Sequence, residues 1–334
     1  MRKIIFLLFF VVATHFAMAQ RTAYHHQNEK LFNQGKEMFL EGNYTGAQDL
    51  LSQYVAESSD RLLTEEARYM MAVSSFYKGV NNSGNVLKAF LDEYPESIHN
   101  HQVKFLIGSY HFNERDWKLA KFWFDQADLD CLKLSEQEDF SFRNAYTNLQ
   151  LGNKNEAYRL FGLLSQNSHK YCDAGNFYAG YIEYTNGNYD AALRRFEGLR
   201  SHPEFGEQVA FYSAQSTFFN NKFDEAIRLA ESFLNTYPRS EHTTEMYRVL
   251  GNSHYRQGRA TSAIPYYDNY FTKTNNPLRG DAYFMGLSYV EVGKQNEAVQ
   301  MFQRAVGNPD ALTQNAQLQL GQTYLKLNQK QQAQ

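Results

Sequence analysis

Residues Gly180–Phe196 read GYIEYTNGNYDAALRRF, and the order of small, polar and aromatic residues in this stretch decides the fold. Gly180 stands on an apolar helix face, and seven residues later Gly187 provides the left-handed conformation in which helices stop. Asn188, Tyr189 and Asp190 follow at once, with side chains suited to starting another helix. Ala192 is a second small residue, and Phe196 lies one turn further along the same face. The stretch therefore predicts two helices joined by a tight turn. A small residue in each lets the axes approach, and one large ring fills the space beside them.

The pattern repeats in both directions. The first small site recurs at Gly35, Ala72, Gly108, Ala145, Gly180, Ala214, Gly251, Gly286 and Gly321, at intervals of 34 to 37 residues. The helix stop recurs at Gly42, Gly79, Gly152, Gly187, Gly258 and Gly293, with Asn221 and Asn328 as substitutes and Arg115 as the departure. Thr45, Asn155, Asp190, Asp224, Thr261 and Asn296 are the expected capping residues. The second small site is Ala47, Ala120, Ala157, Ala192, Ala226, Ala263, Ala298 and Ala333. Leu51, Phe124, Phe161, Phe196, Tyr267 and Phe302 follow as the large residue, with Ala230 as the exception. Pro95, Pro203, Pro238, Pro277 and Pro309 fall between units, where a helix must end anyway. One helix pair cannot bury its own apolar face, so the units must stack.

At these residues the chain resembles the tetratricopeptide-repeat (TPR) family, most closely at Gly180–Phe196 and from Gly286 through Gly293, Ala298, Phe302 and Ala305 to Pro309. The resemblance implies an all-α, right-handed TPR α-solenoid of about eight complete helix-turn-helix repeats from residue 28, with a partial ninth at 314–334. The second repeat departs most, because Ser83-Gly84 replaces the usual alanine and its turn is a residue short. A narrower likeness joins Phe90-Leu91-Asp92-Glu93-Tyr94-Pro95-Glu96-Ser97 to Phe233-Leu234-Asn235-Thr236-Tyr237-Pro238-Arg239-Ser240. It resembles the repeat junction of bacterial envelope TPR proteins of the BamD and CpoB kind.

The N-terminus reads as an export signal. Arg2 and Lys3 precede a continuous apolar run from Ile4 to Ala13, about half of what a membrane-spanning helix needs. Ala17-Met18-Ala19 then gives the small-x-small pattern of signal cleavage, between Ala19 and Gln20. The expected organisation is a signal peptide at 1–19 and a TPR array at 20–334. The expected location is the periplasm, possible attachment being peripheral to the outer membrane. No integral segment is expected after cleavage, and no cysteine follows the cleavage site as a lipid anchor would require.

Composition agrees with long packed helices: Phe and Tyr number 26 and 24, and there are only 6 prolines in 334 residues. The formal net charge is −3, with no basic block, so a nucleic-acid partner is not expected. Two cysteines, Cys131 and Cys172, exclude a four-thiolate metal site. HExxH, GxSxG, CxxC and phosphate-binding glycine loops are missing. His25-His26 and His99 with His101 lack an accompanying carboxylate cluster in sequence and read as surface histidines. No cofactor, no metal and no catalysis are expected.

Proteins of the resembled family bind ligands along a concave face lined by the first helices. Three residues before each small site that stripe reads Phe32, Tyr69, Phe105, Phe142, Phe177, Phe211, Arg248 and Tyr283. Two turns later it reads Phe39, Phe76, Phe112, Leu149, Tyr184, Phe218, Tyr255 and Val290. Two readings stand open: the rings pack between repeats, or they form an aromatic groove for a partner's apolar segment. Some family members clamp a terminal carboxylate with Lys and Asn on that face; aromatic residues replace the Lys here, so that role does not carry over. The expected function is a non-enzymatic protein–protein interaction scaffold of the cell envelope, its partners belonging to outer-membrane or envelope complexes. The alternatives are a carbohydrate- or peptidoglycan-binding module, and the interaction domain of a longer protein whose catalytic domain lies beyond residue 334. Because Ala333 falls on the first small site of a second helix, the natural chain is expected to continue or this end to be poorly ordered.

Overall fold

The computed structural model describes residues 27–166 and 170–333. The signal segment, the cleavage position at Ala19 and Gln20, and His25-His26 lie outside them. Every regular element among the described residues is helical. The chain divides into two compact units, one ending at Leu160 and the other starting at Phe161.

The first unit contains α1 (27–40), α2 (Tyr44–Glu57), α3 (Arg61–Tyr77), α4 (Ser83–Glu93), α5 (Asn100–Asn113), α6 (Trp117–Phe124) and α7 (Leu134–Gln150), with α8 (Lys154–Leu164) running to its boundary. The second contains α9 (Cys172–Thr185), α10 (Tyr189–Phe196), α11 (Gly206–Phe219), α12 (Phe223–Thr236), α13 (Thr243–Arg256), α14 (Ala260–Lys273), α15 (Arg279–Glu291), α16 (Gln295–Ala305) and α17 (Ala311–Lys326). Odd-numbered helices are the first, and even-numbered the second, of each pair. Each unit is a solenoid-type stack in which a pair packs on the pair before it.

What fixes the pair is a couple sixteen residues apart. A Cβ on Gly108, Gly180, Gly251 or Gly286 would lie 2.6–2.7 Å from the ring of Phe124, Phe196, Tyr267 or Phe302, and one on Gly35 would lie 2.7 Å from Leu51. Those large side chains are almost fully buried. The ring thus occupies the place of the missing side chain, and dispersion contacts over its whole face hold the helices together. The Ala230 exception follows the same geometry, since its partner position in the first helix is Ala214 and both are buried. Two alanines stand where the other pairs set a small residue against a large one. In the second repeat, the Tyr110 ring of α5 fills the space above Gly84, 2.6 Å from where a Cβ would stand, and its hydroxyl donates to the Asn81 carbonyl at 2.7 Å.

The turns are left-handed at every expected stop. The six glycines take φ from 68° to 81°, and Asn221 and Asn328 take 58° and 60°. Arg115, the departure in sequence, takes φ 58° as well. Asp116 N donates to the His111 carbonyl at 2.9 Å just beyond it. Packing of α5 on α6 therefore imposes the turn on a residue that does not favour it.

The expected caps are corrected. The second helices start two residues earlier, so Thr45, Asp190, Asp224, Thr261 and Asn296 are already inside their first turns. Asn43 caps α2 and Asp116 caps α6, accepting from Gly46 N and Leu119 N at 3.1 Å. The displaced carboxylates instead tie successive repeats. Asp190 accepts from Asn220 and Lys222 at 3.0 and 3.3 Å, and Asp224 from Gln257 and Arg259 at 3.2 and 2.8 Å. A negative charge in a first turn is favoured by the free N–H groups there.

Candidate partner-binding face

In the first unit the stripe separates into two rows of different character. Phe32, Tyr69 and Phe105 are buried, whereas Phe39, Phe76, Phe112 and Phe142 are half-buried. Tyr69 lies between repeats with the His99 ring stacked on it at 3.7 Å and 7°. His99 Nε2 meets Glu66 Oε2 at 2.7 Å, and this histidine lowers the carboxyl pKa of Glu66 through hydrogen bond and charge. The Tyr69 hydroxyl donates to Gln102 Oε1, and Gln102 Nε2 donates to Glu136 Oε1, linking α3, α5 and α7. Burial first, then Glu136 and Glu66, push the Tyr69 phenol well above its ordinary pKa. Phe105 packs on Phe124 and Phe140.

Beyond these buried rings the half-exposed row turns outward. Tyr44 stacks on Tyr77 at 5.1 Å and 15°, and Tyr77 remains half exposed. Phe112, Trp117 and Tyr146 meet edge to face at 5.5–5.8 Å, with the Arg143 guanidinium 5.0 Å over Phe112. Rings this close touch one another, so the triad presents a packed apolar surface with a cation at its edge rather than an empty cage.

The second unit repeats the separation. Phe177 and Phe211 are buried, while Tyr184, Phe218, Tyr255 and Tyr283 are half-buried. Phe205 stacks on Phe177 at 4.6 Å and His242 on Phe211 at 4.0 Å. Phe219 lies parallel over Tyr189 at 5.0 Å, as Tyr77 does over Tyr44. Burial pushes the Tyr184 phenol up to about 12, and its hydroxyl donates to Gln215 Oε1. Gln215 Nε2 donates to Glu245 Oε1 at 2.9 Å.

Arg248, the single cation in the inner row, takes the place of a ring. Its Nε donates to both oxygens of Glu245 at 2.9 Å, and Asp281 stands 3.8 Å from it. Burial opposes its charge, but these two carboxylates hold its pKa above the ordinary value. Burial raises the Asp281 carboxyl, whose Oδ1 accepts from Asn252 at 2.8 Å. Two carboxylates and a guanidinium pulled from water need this pairing to remain charged.

Of the inner row, Phe32, Tyr69, Phe105, Phe177 and Phe211 are buried. Phe142 and Tyr283, from the same register, keep part of their surface, as do Phe112, Tyr184, Phe218 and Tyr255 from the second row. The surface reading of His99 is corrected, since its ring covers Tyr69 as that of His242 covers Phe211, and the two junction segments align through them as Ser97-Ile98-His99 and Ser240-Glu241-His242. In both, the serine hydroxyl accepts from the histidine N–H, at 3.3 and 3.1 Å. That turn aims the ring back onto the previous repeat.

Each unit also has an open groove, at equivalent positions of its repeats. One, of about 220 Å³, has Gln48, Ser75 and Phe90 among its lining residues, and the other, of about 270 Å³, has Leu193, Thr217 and Phe233. At the corresponding place on α13, His254 is buried with the Tyr266 ring parallel to it at 5.2 Å. Among the described residues no group of three metal-ligating side chains occurs, Cys131 and Cys172 are free thiols, and no helix is long and apolar enough to cross a membrane.

Residues 172–306, all in the second unit, match the model of the outer membrane lipoprotein family YfiO. No curated protein matches the chain. Among solved structures it is similar to a tetratricopeptide repeat protein from Parabacteroides merdae, with 17% identity over 77% of this chain and 99% of that one and a TM-score of 0.46. MamA of AMB-1 is similar at 18% identity over 48% of this chain and 85% of that one, with a TM-score of 0.42. With its small-residue couples, left-handed turns and stacked pairs at one repeating register, the chain fits the tetratricopeptide-repeat type.

Proposed function

We propose that this chain is a non-catalytic scaffold of the bacterial cell envelope that holds segments of partner proteins along the face of its first helices. The observation that carries the reading is the half-exposed row Phe39, Phe76 and Phe112 in one unit and Tyr184, Phe218 and Tyr255 in the other. These rings are held by packing or hydrogen bonds yet keep part of their surface, so they offer apolar area without a large entropy loss on binding. The envelope assignment is supported by the basic-apolar leader with its Ala17-Met18-Ala19 site and by the outer membrane lipoprotein match over 172–306. Export predicts a mature protein beginning at Gln20 and periplasmic in location.

The test is site-specific photo-crosslinking in cells from positions 76 and 218, with position 88 on a second helix as control. The reading requires the same defined envelope proteins to be captured from the first two and not from the third. Capture that is equal from all three positions, or a full-length protein still carrying Met1 in the inner membrane, refutes it.

A further inference from the structure

The first unit carries a second apolar feature, away from the aromatic row. Leu62, Ile98 and Leu134 are 77%, 87% and 82% exposed, although they are large aliphatic residues. They recur every 36 residues, at the start of α3, just before α5 and at the start of α7. The corresponding positions of the second unit carry Lys170, Glu204 and Glu241. Isolated exposed leucines need no explanation, but three at one register in successive repeats form a row.

Hydrogen bonds place the three helix starts side by side. Glu66 in the second turn of α3 meets His99 beside Ile98, and Gln102 in the first turn of α5 donates to Glu136 in the first turn of α7. Neighbouring packed helices stand about 8–10 Å apart, which sets the spacing of the row. Seven residues of a helix span about 10.5 Å. Charge gives the rest of the complementarity. Segments 58–66, 95–102 and 128–138, which hold the row, contain eight carboxylates against two cations, Arg61 and Lys133.

We infer that this edge of the first unit docks a basic amphipathic helix of a partner protein, laid across the repeats with an apolar residue at every seventh position and Lys or Arg between. The three aliphatic side chains each meet one apolar residue of that helix, and the carboxylates around them select its charge. The same acidic balance makes an anionic membrane surface a poorer occupant, because the carboxylates would face lipid phosphates.

The test uses the full chain and a synthetic helical peptide of about 18 residues, with leucine at every seventh position and lysine and alanine elsewhere. A peptide of the same composition with leucines five residues apart is the comparison. The expected results are tighter binding of the first peptide and a loss of about five-fold or more for each of Leu62→Ser, Ile98→Ser and Leu134→Ser, as for central interface anchors. Leu278→Ser, an exposed aliphatic change in the second unit, should leave binding unchanged, and added salt should weaken it. Because all four side chains are exposed, folding should survive, and circular dichroism of each variant checks this. Equal binding of the two peptides, indifference to the three substitutions, or serine-sensitive binding to phosphatidylcholine–phosphatidylglycerol vesicles in place of the peptide would each overturn the proposal.

Discussion

Gly180→Ala probes the glycine–ring couple that recurs at Gly108, Gly180, Gly251 and Gly286. The added methyl carbon would stand 2.6 Å from Phe196 Cε1 and 3.1 Å from Cδ1 and Cζ. Carbon atoms rest at about 3.5–4.0 Å, so ring or helix must yield by about an ångström. Overpacking of this kind costs about 1–3 kcal/mol, while exchanging Gly for Ala inside a helix returns up to about 1 kcal/mol. Phe196→Ala alone should cost about 3–5 kcal/mol by leaving a cavity. In that background the new methyl meets no ring, so Gly180→Ala should change sign and stabilise by about 1 kcal/mol. The double variant then copies the natural Ala214 and Ala230 pair. The assay is urea unfolding of the four proteins, fitted with a nearest-neighbour scheme because repeat arrays depart from two-state behaviour. The expected coupling is about 1–3 kcal/mol. Gly321→Ala is the control: its nearest outside atom is the Ala333 carbonyl oxygen at 3.4 Å, so it should stabilise by about 0.5–1 kcal/mol. If Gly180→Ala has the same effect with and without the Phe196 ring, close approach is not what fixes the pair.

Arg115→Gly should stabilise by about 1 kcal/mol, because an L side chain at φ 58° carries a left-handed penalty that glycine lacks; an unchanged urea midpoint would show that the turn is unstrained. Phe105→Ala should cost about 3–5 kcal/mol in unfolding with little direct effect on partner contact. Phe112→Ala should lose less stability and weaken binding to the photo-crosslinked partner by about 2 kcal/mol if it is an interface anchor; the reverse ranking would undo the separation of the two rows. Burial holds the His254 pKa below its ordinary 6.5, with Arg259 adding to the effect and Glu231 and Asp224 opposing it. Above 6.5 the ring is neutral folded or unfolded, and as pH falls the unfolded chain takes the proton first. Stability should therefore decline as pH descends from 6.5 toward the folded pKa. His254→Phe should flatten that decline in urea midpoints measured across the range, and an unchanged slope would exclude this residue as its source.

The sequence by itself determined the repeat, because the requirements that create it are local. Gly180, Gly187 and Ala192 each answer to one close approach or one backbone conformation, and a residue type that satisfies it is readable in isolation. The same holds for Phe196, whose size is needed opposite the missing side chain of Gly180 sixteen residues away. Exposure was not local. Phe105 and Phe112 share one stripe and one residue type, yet the first is buried against Phe124 and Phe140 while the second stays half open beside Trp117, Tyr146 and Arg143. Tyr69 and Phe211 are covered by His99 and His242 from the following junction, and no periodicity within a helix encodes that cover. Nor did helix-start preference reveal that Asp190 and Asp224 reach forward to the next turn. Tertiary structure decided these points because burial of a side chain depends on where the neighbouring repeat sits. It also set Arg115 in a left-handed turn, where packing between α5 and α6 outweighs the preference of a single residue.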